Sequence, residues 1–382
     1  VPVTASPPPI YYPVSGEATL SLSGKLDSDF AILMRTSDGV SVAELEADAK
    51  MYPASMTKIM TLILVCEYIE SGEGSLEDEI EITWDMIKGV YDGDGANISL
   101  QIGEVVNVKD MIYATMLPSA CDASAALAWY VGGTEKDFAE LMNKKARELG
   151  LKDTHFTNPH GLYDEQHYTT ARELALITAE ALSSEELREI FATKSATISR
   201  GVTKDAPLGE GKRYLRNHNK MLSLYDGALG VKTGFTKKTG RCLVSAAERD
   251  GMTLICVTLG APDDWNDHTA LLDHGFDSYA RVTLYEKGEL RIPYALTGGS
   301  EQYVTATNSE PLTMTLPKGF EIDQAALNSE FPHHFEFAPV EAGALLGRVT
   351  VSLEGRQISS PLVAAYGVPS AKRREHKRFI FF

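Results

Sequence analysis

The chain has 382 residues, 43% of them hydrophobic, and a formal net charge of −17 with a pI near 5.0. That length exceeds one ordinary core and implies two domains, while the acidic balance argues against a nucleic-acid partner, whose phosphates would be repelled. No apolar run reaches the roughly 18 residues of a membrane-spanning helix. Cys66, Cys121, Cys242 and Cys256 are too few for a disulfide scaffold and form no CxxC pair, which excludes a zinc ribbon or a thioredoxin-type motif.

The sequence opens Val1-Pro2-Val3, which fits a processed export product or a shortened chain. Residues 1–17, with "SPPPIYYP", are expected to form an extended leader. "FAILMRTSDGVSVAEL" (30–45) reads as two strands joined at Asp38-Gly39, a strong hairpin signal. "YPASMTKIMTLILVCEY" (52–68) then reads as an apolar helix with Ser55 and Lys58 in its first turn.

Residues 83–215 are mainly helical in pattern. Between Thr134 and Leu149, Thr134 and Asp137 make a capping-box pattern and Gly150 stands where a helix-ending glycine belongs. Phe138, Leu141, Met142 and Leu149 mark its apolar face. "TTARELALITAEAL" (169–182) is a second such helix. Three short strand-like runs follow, at 227–235, 242–249 and 252–260, and "HTALLDHGFDSYA" (268–280) closes the region as a helix. Strands at both ends and helices between them predict an α+β domain over 18–281. Its expected core is one mostly antiparallel sheet with helices on both faces and a helical insertion. After Arg281 the texture changes. "RVTVSLEGRQI" (348–358) alternates Val349, Val351 and Leu353 with polar residues, and 282–371 reads as a separate all-β domain. The tail, 372–382, is a basic run ending in apolar residues, a possible start of a membrane-surface anchor.

The chemistry is carried by Ser55 and Lys58. In a helix, residues three apart share a face, so Ser55 Oγ and Lys58 Nζ can meet. A serine attacks only when a base takes its proton, and a lysine serves as that base only if its pKa falls. Burial, a second nearby cation and the positive end of a helix all push it down. Ser-x-x-Lys occurs once in the chain. Two further motifs follow in order: Ser119 in "MLPSACDAS" at a helix start, and Lys232-Thr233-Gly234 at the end of a predicted strand. That set is the signature of penicillin-recognising serine enzymes. K-T-G recurs at 238–240, in a polar stretch that reads as a turn.

On these motifs, and on "FTNPHGL" (156–162), "HYTTARELA" (167–175), "NHNKML" (217–222) and "GRCLVSAAERDGMTLICVTLGAP" (240–262), the sequence resembles the D-alanyl-D-alanine carboxypeptidases, the low-molecular-mass penicillin-binding proteins of peptidase family S11. The resemblance covers about residues 25–281, and the β region beyond is similar to that family's C-terminal domain. It implies a β-lactamase/transpeptidase-like fold, no cofactor, and action outside the cytoplasm on peptidoglycan stem peptides ending D-Ala-D-Ala, with β-lactams as acylating mimics. Ser55 would attack the terminal peptide bond and Lys58 take its proton. The N–H groups of Ser55 and Phe235 would form the oxyanion hole. Ser119 would pass a proton to the leaving D-alanine, and Lys232 and Thr233 would hold the substrate carboxylate beside Gly234. One departure stands out: the middle motif is usually Ser-x-Asn, and here it is Ser119-Ala120-Cys121. A thiol is a weaker hydrogen-bonding partner than an amide, which leaves open a second reading, a protein that binds D-Ala-D-Ala or β-lactams with little turnover. A serine β-lactamase is disfavoured because no E-x-x-L-N loop is present.

Other candidates carry less. His155, His160 and His167 lack an HExxH-type helix, so no metal is expected. His160 reads as a loop anchor; His218, in the "NHN" segment before the K-T-G strand, reads first as structural, with a place at the cleft border as the second reading. Cys66, Cys242 and Cys256 lie in apolar text and read as core. Asp85, Asp92 and Asp94 resemble a calcium loop only loosely and read as a solvated turn.

Overall fold

The computed structural model describes residues 20–21, 26–37, 39–91, 95–201, 211–320, 325–353 and 356–371. The expected leader and tail, Asp38 of the hairpin, and Asp92 and Asp94 lie outside the described residues. The chain divides into two compact units, 1–277 and 278–382; the change of texture after Arg281 falls just beyond that division.

In the first unit the chain runs β1 (Leu20–Ser21), β2 (Phe30–Arg35), β3 (Ser41–Leu45), a 3₁₀ turn (Ala54–Thr57) and α1 (Lys58–Glu70). It continues through β4 (Glu79–Glu81), α2 (Trp84–Tyr91), β5 (Val105–Asn107), α3 (Val108–Met116), α4 (Cys121–Gly132) and α5 (Glu135–Glu148). Then come α6 (Ala171–Ala181), α7 (Glu185–Ala192), the paired strands β6 (Ser195–Ser199) and β7 (Lys212–Arg216), and α8 (Met221–Leu224). The unit closes with β8 (Ala228–Thr236), β9 (Gly240–Arg249), β10 (Met252–Leu259) and α9 (Asp264–Ser278).

Strands from both ends of this unit form one sheet, ordered β1-β3-β2-β10-β9-β8, antiparallel except at β1–β3. Helices α1 to α8 are inserted between β3 and β8. Alternation along the strands explains why both faces are covered. Ile32, Met34, Val244, Ala246, Ile255 and Val257 point into the core shared with α1 and α6. On the opposite face Gly275 of α9 is so close to Leu33 and Leu254 that a Cβ there would overlap the Leu254 side chain.

Local signals worked where a single turn decides the structure. Thr134 caps α5, its side chain accepting from Asp137 N–H, and Gly150 has φ +74° beyond the last turn. The apolar face of α5 is Phe138, Ala139, Met142 and Ala146; Leu141, placed on that face by spacing, is 36% exposed. Gly39 N–H donates to Arg35 O across the β2–β3 turn.

The second unit comprises β11 (Tyr279–Tyr285), β12 (Ile292–Thr297), β13 (Tyr303–Asn308), β14 (Leu312–Pro317), β15 (Ala326–Glu330), β16 (Glu336–Phe337), β17 (Leu345–Leu353) and β18 (Arg356–Ala364). Six of these make a sheet ordered β15-β17-β18-β13-β12-β16 around a core that includes Val304, Val349, Val351 and Leu362. The run 348–358 is two strands: Leu353 pairs with Arg356, so the alternation belongs to β17 alone.

Candidate active site

The segment before α1 folds as a 3₁₀ turn, so Ser55 precedes the α-helix instead of sitting in its first turn. Residues three apart eclipse in a 3₁₀ turn, and Lys58 Nζ lies 3.0 Å from Ser55 Oγ. Ala54, just before the serine, has φ +51°, a left-handed conformation costly for a residue with a Cβ. Lys58 is 0% exposed at the start of a helix buried almost all round.

The other neighbours of Lys58 come from remote segments. Its Nζ donates to His160 O at 2.7 Å and lies 3.4 Å from Cys121 Sγ. The loop bearing His160 is fixed from several sides. Asn158 Oδ1 accepts from the His160 and Gly161 N–H groups, and Thr61 and Ser124 hydroxyls donate to Pro159 O. Gly161 has φ +82°, and a Cβ there would overlap the Ala54 carbonyl. His160 is thus the loop anchor its turn suggests, and its carbonyl enters the site. Its imidazole is buried, which pushes its pKa down.

The middle motif lies at the start of α4. Ser119 has φ +64°, is 5% exposed, and its Oγ has no hydrogen-bond partner among the described residues. A buried hydroxyl without a partner costs about 1–3 kcal/mol, so this one has an unmet hydrogen bond at the cleft wall. Cys121 N–H donates to Ala96 O, and a Cβ on Gly95 would come within 2.8 Å of the thiol. Asp122 points away from the site: its carboxylate accepts from the N–H groups of Ile98, Leu100 and Ala123.

The first K-T-G lies on β8, the edge strand nearest the serine turn. A Cβ on Gly234 would be 3.1 Å from Ala54 Cβ and 3.4 Å from Ser55 N, so the strand packs closely against the serine turn and a larger residue would push the turn back by a few tenths of an ångström. Lys232 is 1% exposed and donates to Thr233 O at 2.9 Å. Thr233, Gly234 and Phe235 line the cleft, and Phe235 is 65% exposed. The second K-T-G is the turn between β8 and β9.

Burial holds the Lys58 amine below its ordinary value, against opposing pulls from Cys121 and Asp122. Lys232 is held well below its ordinary value, first by burial and then by the charge of Lys58. Two buried amines in one site disfavour double protonation.

Ser55, Ser119, Cys121, Thr233, Gly234 and Phe235 all open on a cleft of about 1710 Å³. Residues outside the motifs line it too. His218, read first as structural, borders the cleft, with its pKa lowered by burial and by Lys232. Tyr163, Lys238 and Trp265 also border it. The polar "NHN" run just before the K-T-G strand was the one signal for His218; the others are brought in by contacts remote in sequence.

Residues 17–263 match the family model described as D-alanyl-D-alanine carboxypeptidase. The chain belongs to that family. Residues 279–370 match the model described as penicillin-binding protein 5, C-terminal domain. The D-alanyl-D-alanine carboxypeptidase DacF of Bacillus subtilis is 31% identical over 353 residues, 92% of this chain and 87% of that protein. A D-alanyl-D-alanine carboxypeptidase of a Streptomyces species is 33% identical over 252 residues, 64% of this chain and 85% of its own. The solved structure of penicillin-binding protein 5 from Haemophilus influenzae aligns with a TM-score of 0.69 at 27% identity, covering 90% of this chain and 98% of that one. The carboxypeptidase fold, an α+β domain followed by an all-β domain, is therefore shared along nearly the whole length.

Proposed function

We propose that this protein is a serine carboxypeptidase that removes the terminal D-alanine from peptidoglycan stem peptides through an acyl-enzyme on Ser55. The observation that carries the reading is the surroundings of Lys58. A neutral lysine amine has two N–H groups and one lone pair. His160 O and Cys121 Sγ take the two N–H groups, which leaves the lone pair for the Ser55 hydroxyl at 3.0 Å. Burial favours that neutral form.

The Ser55 proton passes to Lys58 as Oγ bonds to the carbonyl carbon of the penultimate D-alanine. The oxyanion is assigned to the backbone N–H groups of Ser55 and Phe235. The C–N bond then breaks, and the proton reaches the leaving amine by way of Ser119, whose hydroxyl has no hydrogen-bond partner among the described residues. Thr233 and Lys232 are assigned to the terminal carboxylate. Water attacks the ester and returns the serine. A β-lactam would acylate the same oxygen and leave slowly. The substrate class places the enzyme outside the cytoplasm, and the basic tail from Lys372 is assigned to contact with anionic lipid. The family match and the relatives named D-alanyl-D-alanine carboxypeptidases support turnover over a purely binding role.

D-Alanine release from a soluble peptide ending Lys-D-Ala-D-Ala tests this directly. The protein is expected to release D-alanine and to be labelled by a fluorescent penicillin, and Ser55→Ala to lose both. Labelling without release would replace the carboxypeptidase reading with the binding one.

A further inference from the structure

We infer that the cleft selects stem peptides carrying carboxylates beyond the terminal one; this rests on the carboxypeptidase reading. The chain as a whole has a net charge of −17. Yet the described residues lining the cleft include six basic side chains, Lys194, Arg216, Lys220, Lys237, Lys238 and Arg241, against the single carboxylate of Asp264. The six come from separate segments: the link after α7, the end of β7, the residue before α8, the β8–β9 turn and β9. Asp264 is already committed, accepting from Arg241 at 2.6 Å.

Aromatic rings flank three of the six, Lys220, Lys238 and Arg241, without cancelling charge; of these, Arg241 is paired with Asp264. Lys238 Nζ donates to Tyr163 OH at 2.8 Å and lies 4.9 and 4.7 Å from the ring centres of Tyr52 and Tyr163. Lys220 lies 5.9 Å from the Trp265 ring and Arg241 5.3 Å. A neutral peptide needs only hydrogen bonds from a cleft wall. Cations converging on a cleft raise the local concentration of anions and repel one another until one binds. The terminal carboxylate has its own place at Lys232 and Thr233, so the outer cations serve carboxylates further along the peptide, such as a free α-carboxylate on a γ-linked glutamyl residue.

The test compares kcat/KM for D-alanine release from two peptides of one sequence ending Lys-D-Ala-D-Ala. In one the upstream carboxylates are free; in the other they are amidated. The free acid is expected to be favoured about tenfold, chiefly through KM. The ratio should shrink toward one at roughly 1 M salt, where the Debye length is about 3 Å. Lys194→Gln combined with Lys220→Gln should also lower the ratio, with melting temperature confirming the fold. Equal kcat/KM, or preference for the amide, overturns the inference and leaves the carboxypeptidase reading standing. A preference that salt does not weaken also overturns it, because charge would not be the cause. Release from neither peptide overturns the reading on which it rests.

Discussion

Ser55 is held by side chains that the chemistry does not touch. Thr157 N–H donates to His167 Nδ1 at 3.1 Å, which places the ring proton on Nε2. That proton faces Thr57 Oγ1 at 2.8 Å, and the Thr57 hydroxyl donates to Ala54 O, also at 2.8 Å. Every direction in this chain is set by the first donor. Burial keeps His167 neutral, its pKa lowered to about 3. The chain ends on Ala54, whose φ of +51° turns the backbone into Ser55, the proposed nucleophile, so it positions that residue. Thr57→Val keeps the shape and removes the hydroxyl. It is expected to lower kcat by about tenfold to a hundredfold, the equivalent of one lost buried hydrogen bond, with little change in KM. Thr57→Ser should restore most of the rate. A Thr57→Val enzyme with wild-type kcat would remove His167 and Thr57 from any part in positioning the serine. The motif residues themselves were legible in the sequence because three-residue spacing is local. The roles of His160 O, Thr57 and His167 were not, because a carbonyl leaves no compositional mark and the partners meet only in the folded chain.

The elements meet at buried polar joints of the same kind. His268 of α9 contacts Ser245 Oγ on β9 at 2.8 Å and Thr258 Oγ1 on β10 at 2.9 Å, so one imidazole ties the helix to two strands. Burial lowers its pKa to about 3. For His268 and His167 alike, the unfolded chain takes up a proton below the ordinary value of 6.5 while the folded chain does not until about 3. Stability therefore falls as pH drops through that window, by up to about 1.4 kcal/mol per pH unit for each histidine. Denaturant unfolding at several pH values should show the slope, and His268→Gln should make it shallower. An unchanged slope in that variant would place the acid sensitivity elsewhere. The antiparallel sheet, the helical insertion and the cap of α5 follow from periodicity and turn chemistry. What periodicity misjudged was exposure within a helix, at Leu141, and a strand boundary, at Leu353 and Arg356, where pairing decides.

At the scale of the molecule, each unit has its own core. One is built around Ile59, Met60, Phe138 and Val257, the other around Val304, Val349, Val351 and Leu362. All of Ser55, Lys58, Ser119, Cys121, Lys232, Thr233 and Phe235 belong to the first unit, as does every described residue lining the cleft. The Streptomyces carboxypeptidase matches 64% of this chain with 85% of its own length, so a relative exists with little beyond a unit of this kind. A domain with its own core can fold alone. A chain ending at Asp277 is therefore expected to melt cooperatively and to release D-alanine from a soluble peptide within about threefold of the full-length rate, as befits an independent domain. Penicillin labelling of Ser55 should survive the truncation as well. Two measurements separate the outcomes, circular dichroism for the fold and D-alanine release for the site. A fragment that folds but neither releases D-alanine nor takes the label would show that residues 278–382 contribute to the active site. Retained activity on the soluble peptide would instead confine the chemistry to the first unit, and the role of the second would then be sought with intact cell wall or anionic vesicles as the probe.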